Sequence, residues 1–332
     1  MAGVKPLRKL QVGVEVTAGT AVAATDIMRC TGTLEDQQET VFAEEDIGYL
    51  SGVDRTYVPK LGAAVTMDGE ATYEQIGIIF SAGIENIVTP GTDGVGSGKV
   101  YQFDFPTTAP NTIKTYTIEG GDNQQAEEME YAFVQKFGLS GAAGEALKFS
   151  ADWFARQAAP TTFTSISTLT EVDSILVSKA KLYIDAASGT MGSTQKANTM
   201  LGVDLKVTTG WTPVYTGDGS TYFSFIKCLM PEVVLDVTFE HDSTAVAEIA
   251  AWRAQTARQI CLKFEGAALA TAGTLYPVKT MLVNLAGKWE KFSKIDEQDG
   301  NDIVTGTFRA RYNATATKYA QIIVVNEIAS LP

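Results

Sequence analysis

The chain has 332 residues, 45% of them hydrophobic and 20% charged, which is long enough for two ordinary domains and too apolar for a disordered chain. Lys plus Arg number 26 against 39 Asp plus Glu, so the net charge is −13 and the surface repels phosphate backbones. A basic nucleic-acid binder is thereby excluded, and 30 Gly beside only 10 Pro favours β-structure with many turns.

Residues 1–16 read as an extended arm and first strand. Lys5, Arg8 and Lys9 precede no long apolar run, so no signal peptide is expected. Lys9, Gln11 and Gly13 alternate with Leu10, Val12 and Val14. Residues 17–25 are small and turn-rich, and 27–34 form a short strand candidate. The loop 35–60 mixes Glu39, Glu44, Glu45, Asp46 and Asp54 with Val41, Phe42, Ile47, Tyr49, Leu50 and Tyr57. A loop of this length in a compact domain has a job or a partner, and its apolar residues need a surface to cover them.

A strand–helix–strand unit follows. Ala63, Val65 and Met67 alternate with polar neighbours into Asp68, Gly69 and Glu70. Thr72 with Gln75 reads as a capping box, and Tyr73, Ile76, Phe80 and Ile84 mark a helical face. Residues 90–98 form a Gly-rich turn, with strands at 100–105, 113–120, 129–139 and 146–156. Residues 158–172 are rich in Thr and Ser, and the linker is set at 161–174, between domains at 1–160 and 175–332. Strands then fall at 178–184 and 200–208, and 211–219 is turn-rich.

The unit repeats at 231–264. Val233, Leu235, Val237 and Phe239 alternate with polar residues, and Asp242 or Ser243 offers a helix cap. A helix over 244–258 is expected to gather Val246, Ile249, Ala250 and Trp252 on one side, with Glu248, Arg253 and Arg258 away from it. Ile260, Leu262 and Phe264 resume strand alternation, and strands follow at 277–289, 302–312 and 318–328. Matching Ile76 to Val246 gives an offset of 170 residues, close to half the chain.

Residues that carry chemistry elsewhere are sparse. His241, the only histidine, reads as an ordinary turn residue and rules out any site with two His ligands. Residues 94–100 superficially resemble a phosphate loop, but Asp93 stands where Gly is needed and Val100 where Ser or Thr is needed, so a hairpin turn is expected. Asp296, Asp299, Gly300, Asn301 and Asp302 form an oxygen-rich turn without EF-hand spacing. Glu127, Glu128 and Glu130 read as a solvated acidic stretch, and acid–base work by Glu127 and Glu130 is the minor alternative. Cys30, Cys228 and Cys261 lie far apart, with no CxxC, which points to a reducing compartment. No catalytic, cofactor-binding or metal-binding residue is assigned, and no window approaches the roughly 18 apolar residues of a membrane span.

Residues 9–15 (KLQVGVE) followed by 17–21 (TAGTA) resemble the start of the tail tube proteins, or major tail proteins, of long-tailed bacteriophages. The acidic loop, then Gly69-Glu70-Ala71-Thr72 before a helix, then the strand ending Phe149-Ser150-Ala151-Asp152-Trp153-Phe154, continue that resemblance. It is strongest over residues 9–84 and rests on architecture alone in the second half.

The resemblance implies a mainly β chain: two tandem tail-tube-type β-sandwich or barrel domains, each flanked by one α-helix. It implies a structural virion protein rather than an enzyme, assembled in the bacterial cytoplasm. Stacked rings would form a tail tube through which DNA passes without specific binding. The implied partners are other copies of the chain, as a trimeric ring with pseudo-six-fold symmetry or as a hexamer, with tape measure, terminator and tip proteins. Val41, Phe42, Ile47, Tyr49, Leu50 and Tyr57 are then the expected contacts between rings. Asp68, Glu70, Asp236 and Glu240 are expected to face a lumen whose negative charge repels phosphate. The alternative is a carbohydrate-binding β-sandwich module whose platform draws on Trp153, Trp211, Trp252 or Trp289.

Overall fold

The computed structural model describes residues 3–86 and 90–331; Met1 and Ala2 of the expected arm lie outside them. The chain is mainly β, 47% strand against 8% helix, with two α-helices among the described residues and antiparallel sheets that do not close into a barrel. In the first half the strands are β1 (Lys9–Val14), β2 (Asp26–Ile27), β3 (Glu35–Asp36), β4 (Val41–Phe42), β5 (Thr56–Tyr57) and β6 (Ala63–Glu70). Helix α1 (Ile76–Gly83) follows, then β7 (Gly91–Thr92), β8 (Lys99–Asp104), β9 (Tyr116–Gly121), β10 (Ala126–Ala142), β11 (Lys148–Ala155) and β12 (Ala158–Thr161). The second half holds β13 (Ala180–Ala186), β14 (Gln195–Lys196), β15 (Met200–Thr208), β16 (Trp211–Val214), β17 (Phe225–Cys228) and β18 (Glu232–Glu240). After α2 (Ser243–Arg253) come β19 (Arg258–Ala268), β20 (Val278–Phe292), β21 (Asp296–Gln298), β22 (Asn301–Ala310) and β23 (Ala320–Asn326).

Period-two alternation builds a wide front sheet. Ala63, Val65 and Met67 of β6, and Val233, Leu235, Val237 and Phe239 of β18, point inward, while their neighbours are more exposed. The strand order is β3-β6-β11-β10-β15-β18-β22-β20. Behind it lie two further sheets, ordered β2-β1-β9-β10-β12 and β14-β13-β19-β20-β23-β8-β7.

Two long strands belong to both layers. Residues 126–132 of β10 pair with β9, and 133–140 pair with β11. Residues 280–285 of β20 pair with β23, and 287–292 pair with β22. Each strand breaks register within its front part, between Val134 and Lys136 in β10 and between Trp289 and Lys291 in β20. Such a bulge bends a strand and lets it change layers.

The sequence halves are interleaved. β8 pairs with β23 and β15 with β10, and one continuous apolar cluster runs from Leu10 to Val324. Trp153 and Trp289 are its largest buried side chains. Full burial of a large apolar side chain stabilises the fold by roughly 1.5–3 kcal/mol. Residues 161–174, expected as a linker, are pinned along the first half. Thr164 donates its N–H and hydroxyl to Glu119, Thr170 its hydroxyl to Asp26, and Asp173 its N–H to Glu74.

The helices differ from expectation in instructive ways. Every residue of α1 is buried, so it has no polar face. The Thr72 hydroxyl accepts the Gln75 N–H as a capping box requires, but the Gln75 amide turns away to Asp26 and Ile27. In α2 the cap is Asp242, which accepts the N–H groups of Thr244 and Ala245. The helix ends at Arg253, and Ala245, Glu248 and Ala251 face inward while Val246 is exposed. Glu248 reverses the predicted face because Arg258 and the Trp289 indole both donate to its carboxylate, at 3.0 and 2.8 Å. Pairing of this kind offsets the desolvation cost that a lone buried carboxylate would carry uncompensated.

Candidate functional site

Two short ribbons project from one end of the front sheet. The first, β4–β5, pairs Val41 with Tyr57 and Phe42 with Thr56. Phe42, Ile47, Tyr49, Leu50 and Tyr57 on it are exposed, Leu50 fully so, and Val41 is half-buried. None of the six joins a hydrophobic cluster among the described residues. Its fixed points are Gln37, whose N–H donates to Gly62, and an ion pair between Arg55 and Glu45.

The second ribbon, β16–β17, is folded down. Phe223 in its loop is fully buried against Tyr131, Phe133 and Phe154, with ring centroids 4.9, 6.0 and 6.1 Å away. The Trp211 indole donates to Gly83 at the end of α1, at 3.0 Å. Sequence reading took 211–219 as a turn and did not find β17. The buried Trp and Phe were the available signal, because a turn that is only solvated has no use for them.

The loop of the second ribbon meets the root of the first. Leu61 donates its N–H to Thr221, and the Tyr215 hydroxyl donates to Leu61 at 3.0 Å.

The front sheet ends in two edges. At one, residues 31–37 lie along β6 through Glu35↔Ala64, Asp36↔Ala63 and the isolated bridge Thr31↔Asp68. At the other, β20 pairs with β22 on one side, and beyond Gly287 no described strand lies on its other side. There the Trp252 indole donates to the Glu290 carbonyl at 2.9 Å. Unpaired strand edges are templates for another chain.

The four residues expected to face a lumen share the solvent face of this sheet. Asp68 and Glu70 are exposed on β6, while Asp236 and Glu240 are half-buried on β18. Three strands separate the pairs, about 19 Å at ordinary strand spacing. Lys206 bridges Asp204 at 2.8 Å and Asp236 at 3.0 Å, and those two hydrogen bonds, Asp204 first, raise the lysine pKa. Burial, and then the charge of Asp68, push the Cys30 thiol up to about 12.

The face is mixed in charge. Asp152, Asp204, Glu232 and Glu290 join the four acids, and Lys136, Lys148, Lys206, Lys288, Lys291 and Arg309 stand among them.

The remaining candidates are dispersed. His241 sits at the turn into α2 and donates its backbone N–H to Asp302. Glu127 and Glu130 accept from different neighbours, Gln125 and Gln157. Asp299 and Gly300 form a two-residue turn with φ of 54° and 84°, joining Gln298 to Asn301 in a type I′ hairpin. Among the described residues no group of three His, Cys, Asp or Glu side chains is arranged to hold a metal ion. Residues 91–100 form the hairpin β7–β8. Trp153, Trp211 and Trp289 are buried and Trp252 is half-buried. No family model and no curated protein sequence matches this chain. No helix among the described residues is long and apolar enough to cross a membrane.

Proposed function

We propose that the chain is a tandem duplication that builds rings, and that the stacked rings form a tail tube like that of long-tailed bacteriophages. The observation that carries this reading is a repeated set of strand pairings. β1–β9, β1–β2, β3–β6, β6–β11, β9–β10, β10–β11 and β10–β12 recur in order as β13–β19, β13–β14, β15–β18, β18–β22, β19–β20, β20–β22 and β20–β23.

The match extends to single residues. Val65 lies opposite Trp153, and Leu235, 170 residues on, lies opposite Phe308. The Thr72 hydroxyl accepts the Gln75 N–H in the turn that leads into α1, and Asp242, 170 residues on, caps α2. The bulges at Gln135 and Glu290 fall at corresponding places in β10 and β20. The ribbons β4–β5 and β16–β17 each fill the interval between corresponding strands. The hairpin β7–β8 and the short strand β21 lack separate counterparts.

Two like units joined through one continuous sheet, with both outer edges free, suit a ring made of repeated head-to-tail steps. Three chains would then place six units around a bore, with the mixed-charge face turned to passing DNA. Asp68, Glu70, Asp236 and Glu240 are the lumen residues of this reading. Tape measure, terminator and tip proteins are the further partners that the family resemblance adds, and the virion is its place.

Negative-stain electron microscopy of the concentrated full-length protein tests it. The expected image is a ring with three-fold symmetry and six similar lobes, stacking into tubes. A chain that stays monomeric under all assembly conditions overturns the proposal.

A further inference from the structure

The junction between the two halves is a pattern for a junction between two copies. Inside the chain β10 pairs with β15, with Lys136 opposite Thr208, Phe137 opposite Val207 and Gly138 opposite Lys206. In the repeat, β20 occupies the place of β10, and segment 31–37 occupies the place of residues 202–208. The registers agree in detail. Glu35 lies opposite Ala64 as Lys206 lies opposite Val234, and Thr31 bridges Asp68 as Gly202 pairs with Thr238. The internal junction is occupied by β15, whereas no described strand pairs with the corresponding edge of β20, where the Trp252 indole holds the Glu290 carbonyl.

The ribbons follow the same logic. Ribbon β16–β17 comes directly after β15 and settles over Phe133 and Phe154. Its segment, 209–231, carries one acid, Asp218, and one base, Lys227. The positions corresponding to Phe133 and Phe154, counted from the bulges, are Lys288 and Arg309. Segment 35–60, which contains the free ribbon, carries seven acids against two bases. A nearly neutral ribbon thus sits on an aromatic seat, and an acidic ribbon stands free in a chain whose second seat is basic. Lys288 and Lys291 have no acidic partner among the described residues, while Arg309 already pairs with Glu232 and Glu290. The seat is open to arrivals: Arg253 to Thr256 at the end of α2 and Tyr312 past β22 are exposed.

We infer that segment 31–37 of one copy adds as a strand to the free edge of β20 in a second copy. Asp36 then lies opposite Phe292 and Glu35 opposite Ser293, and ribbon β4–β5 lies across the Lys288–Arg309 seat. The contact is lateral, between neighbours in one ring, whereas the sequence alone suggested that this ribbon joins one ring to the next. The inference rests on the ring reading, and its test separates the two. Strand addition supplies main-chain hydrogen bonds, and charge complementarity fixes the partner.

The test is a pair of cysteines, Glu35→Cys with Ser293→Cys, in the full-length chain. Within one chain these positions lie at opposite edges of an eight-stranded sheet, far beyond the roughly 7 Å Cα limit of a disulfide. Mild oxidation is expected to give covalent oligomers that stop at the copy number of the ring, while each single variant gives none. Lys288→Glu with Lys291→Glu is expected to abolish rings and leave the melting temperature unchanged. Replacing residues 41–57 with a short Gly-Ser turn is expected to abolish rings as well. Rings in micrographs without crosslinks, or isolated rings from the ribbon-deleted chain, would overturn the lateral contact and leave the ring reading standing. A wild-type chain that forms no rings overturns both.

Discussion

Each ribbon follows a strand of the front sheet, β3 or β15, and the two end differently. β16–β17 is buried at its tip by Phe223 and tied to α1 through Trp211, whereas β4–β5 exposes Phe42, Tyr49 and Leu50 to solvent. The helices below them differ in the same sense. All of α1 up to Gly83 is buried, while residues 253–256 at the end of α2 are exposed. One ribbon therefore completes its own chain. The other spends no apolar surface on it, and apolar surface left in water on a soluble protein marks a place where something else binds.

The largest effect expected from breaking this contrast is Phe223→Ala. It removes a fully buried ring that touches Tyr131, Phe133, Phe154 and Tyr215. Emptying such a site costs about 3–5 kcal/mol, partly as lost transfer energy and partly as the cavity left behind. Urea unfolding followed by tryptophan fluorescence should show a lower midpoint with an unchanged slope. A midpoint shift of less than about 1 kcal/mol would mean that the ribbon is not packed as described.

Strand alternation explains why so much of this architecture was legible beforehand. β15 was read at its observed bounds, 200–208, because Leu201, Val203, Leu205 and Val207 leave little choice of period, and β6, β8, β11 and β22 were placed within a few residues. The offset of 170 was read from two strands that each run into a helix, and of those helices only α2 carries a side-chain cap. The ribbons were not legible in the same way. Strands β3, β4 and β5 are two residues long, too short for a period to register, and β17 follows a turn that hid it. The buried face of α2 was misread because Glu248 faces inward, and only Arg258 and Trp289, brought there by other strands, make that position tolerable. Among the candidate residues, the grouping of Asp68, Glu70, Asp236 and Glu240 on one face followed from alternation. The lysines interleaved with them did not, because they arrive on β10, β11, β15 and β20.

The next effect is at the caps. Asp242→Ala removes the acceptor for two N–H groups at the start of α2 and is expected to cost about 1 kcal/mol. The loss appears in the thermal midpoint and is recovered by Asp242→Ser or Asp242→Asn. If either replacement is as damaging as Ala, the side-chain acceptor is not what matters at that position.

A smaller, pH-dependent effect is expected at the end of α1. Glu85 is buried just beyond α1, and burial raises its pKa against the opposing hydrogen bond from Ser81 and the charge of Lys114. As pH rises, the unfolded chain gives up this proton before the folded chain does. The folded state is therefore favoured most below the ordinary carboxylate range, and stability declines as pH climbs through to the raised value. Glu85→Gln should flatten that decline and leave the protein more stable than wild type near neutrality. Equal slopes for wild type and Glu85→Gln through this window would mean that Glu85 is not buried as described.

The smallest effect on folding belongs to the free ribbon, and that is where the contrast between the ribbons is decided. Leu50→Ser or Phe42→Ser removes apolar surface that no described residue covers, so the monomer should keep its stability within about 0.5 kcal/mol. The same changes should weaken ring formation, read as sedimentation velocity at fixed concentration, because the surface they delete has its use only in the assembled state. The two measurements work together. A substitution costing nothing in urea but much in the centrifuge separates an interface from a core, and the order is reversed at Phe223, where the fold fails first. If Leu50→Ser leaves both readings untouched, the ribbon is ornamental and the acidic segment around it needs a different partner.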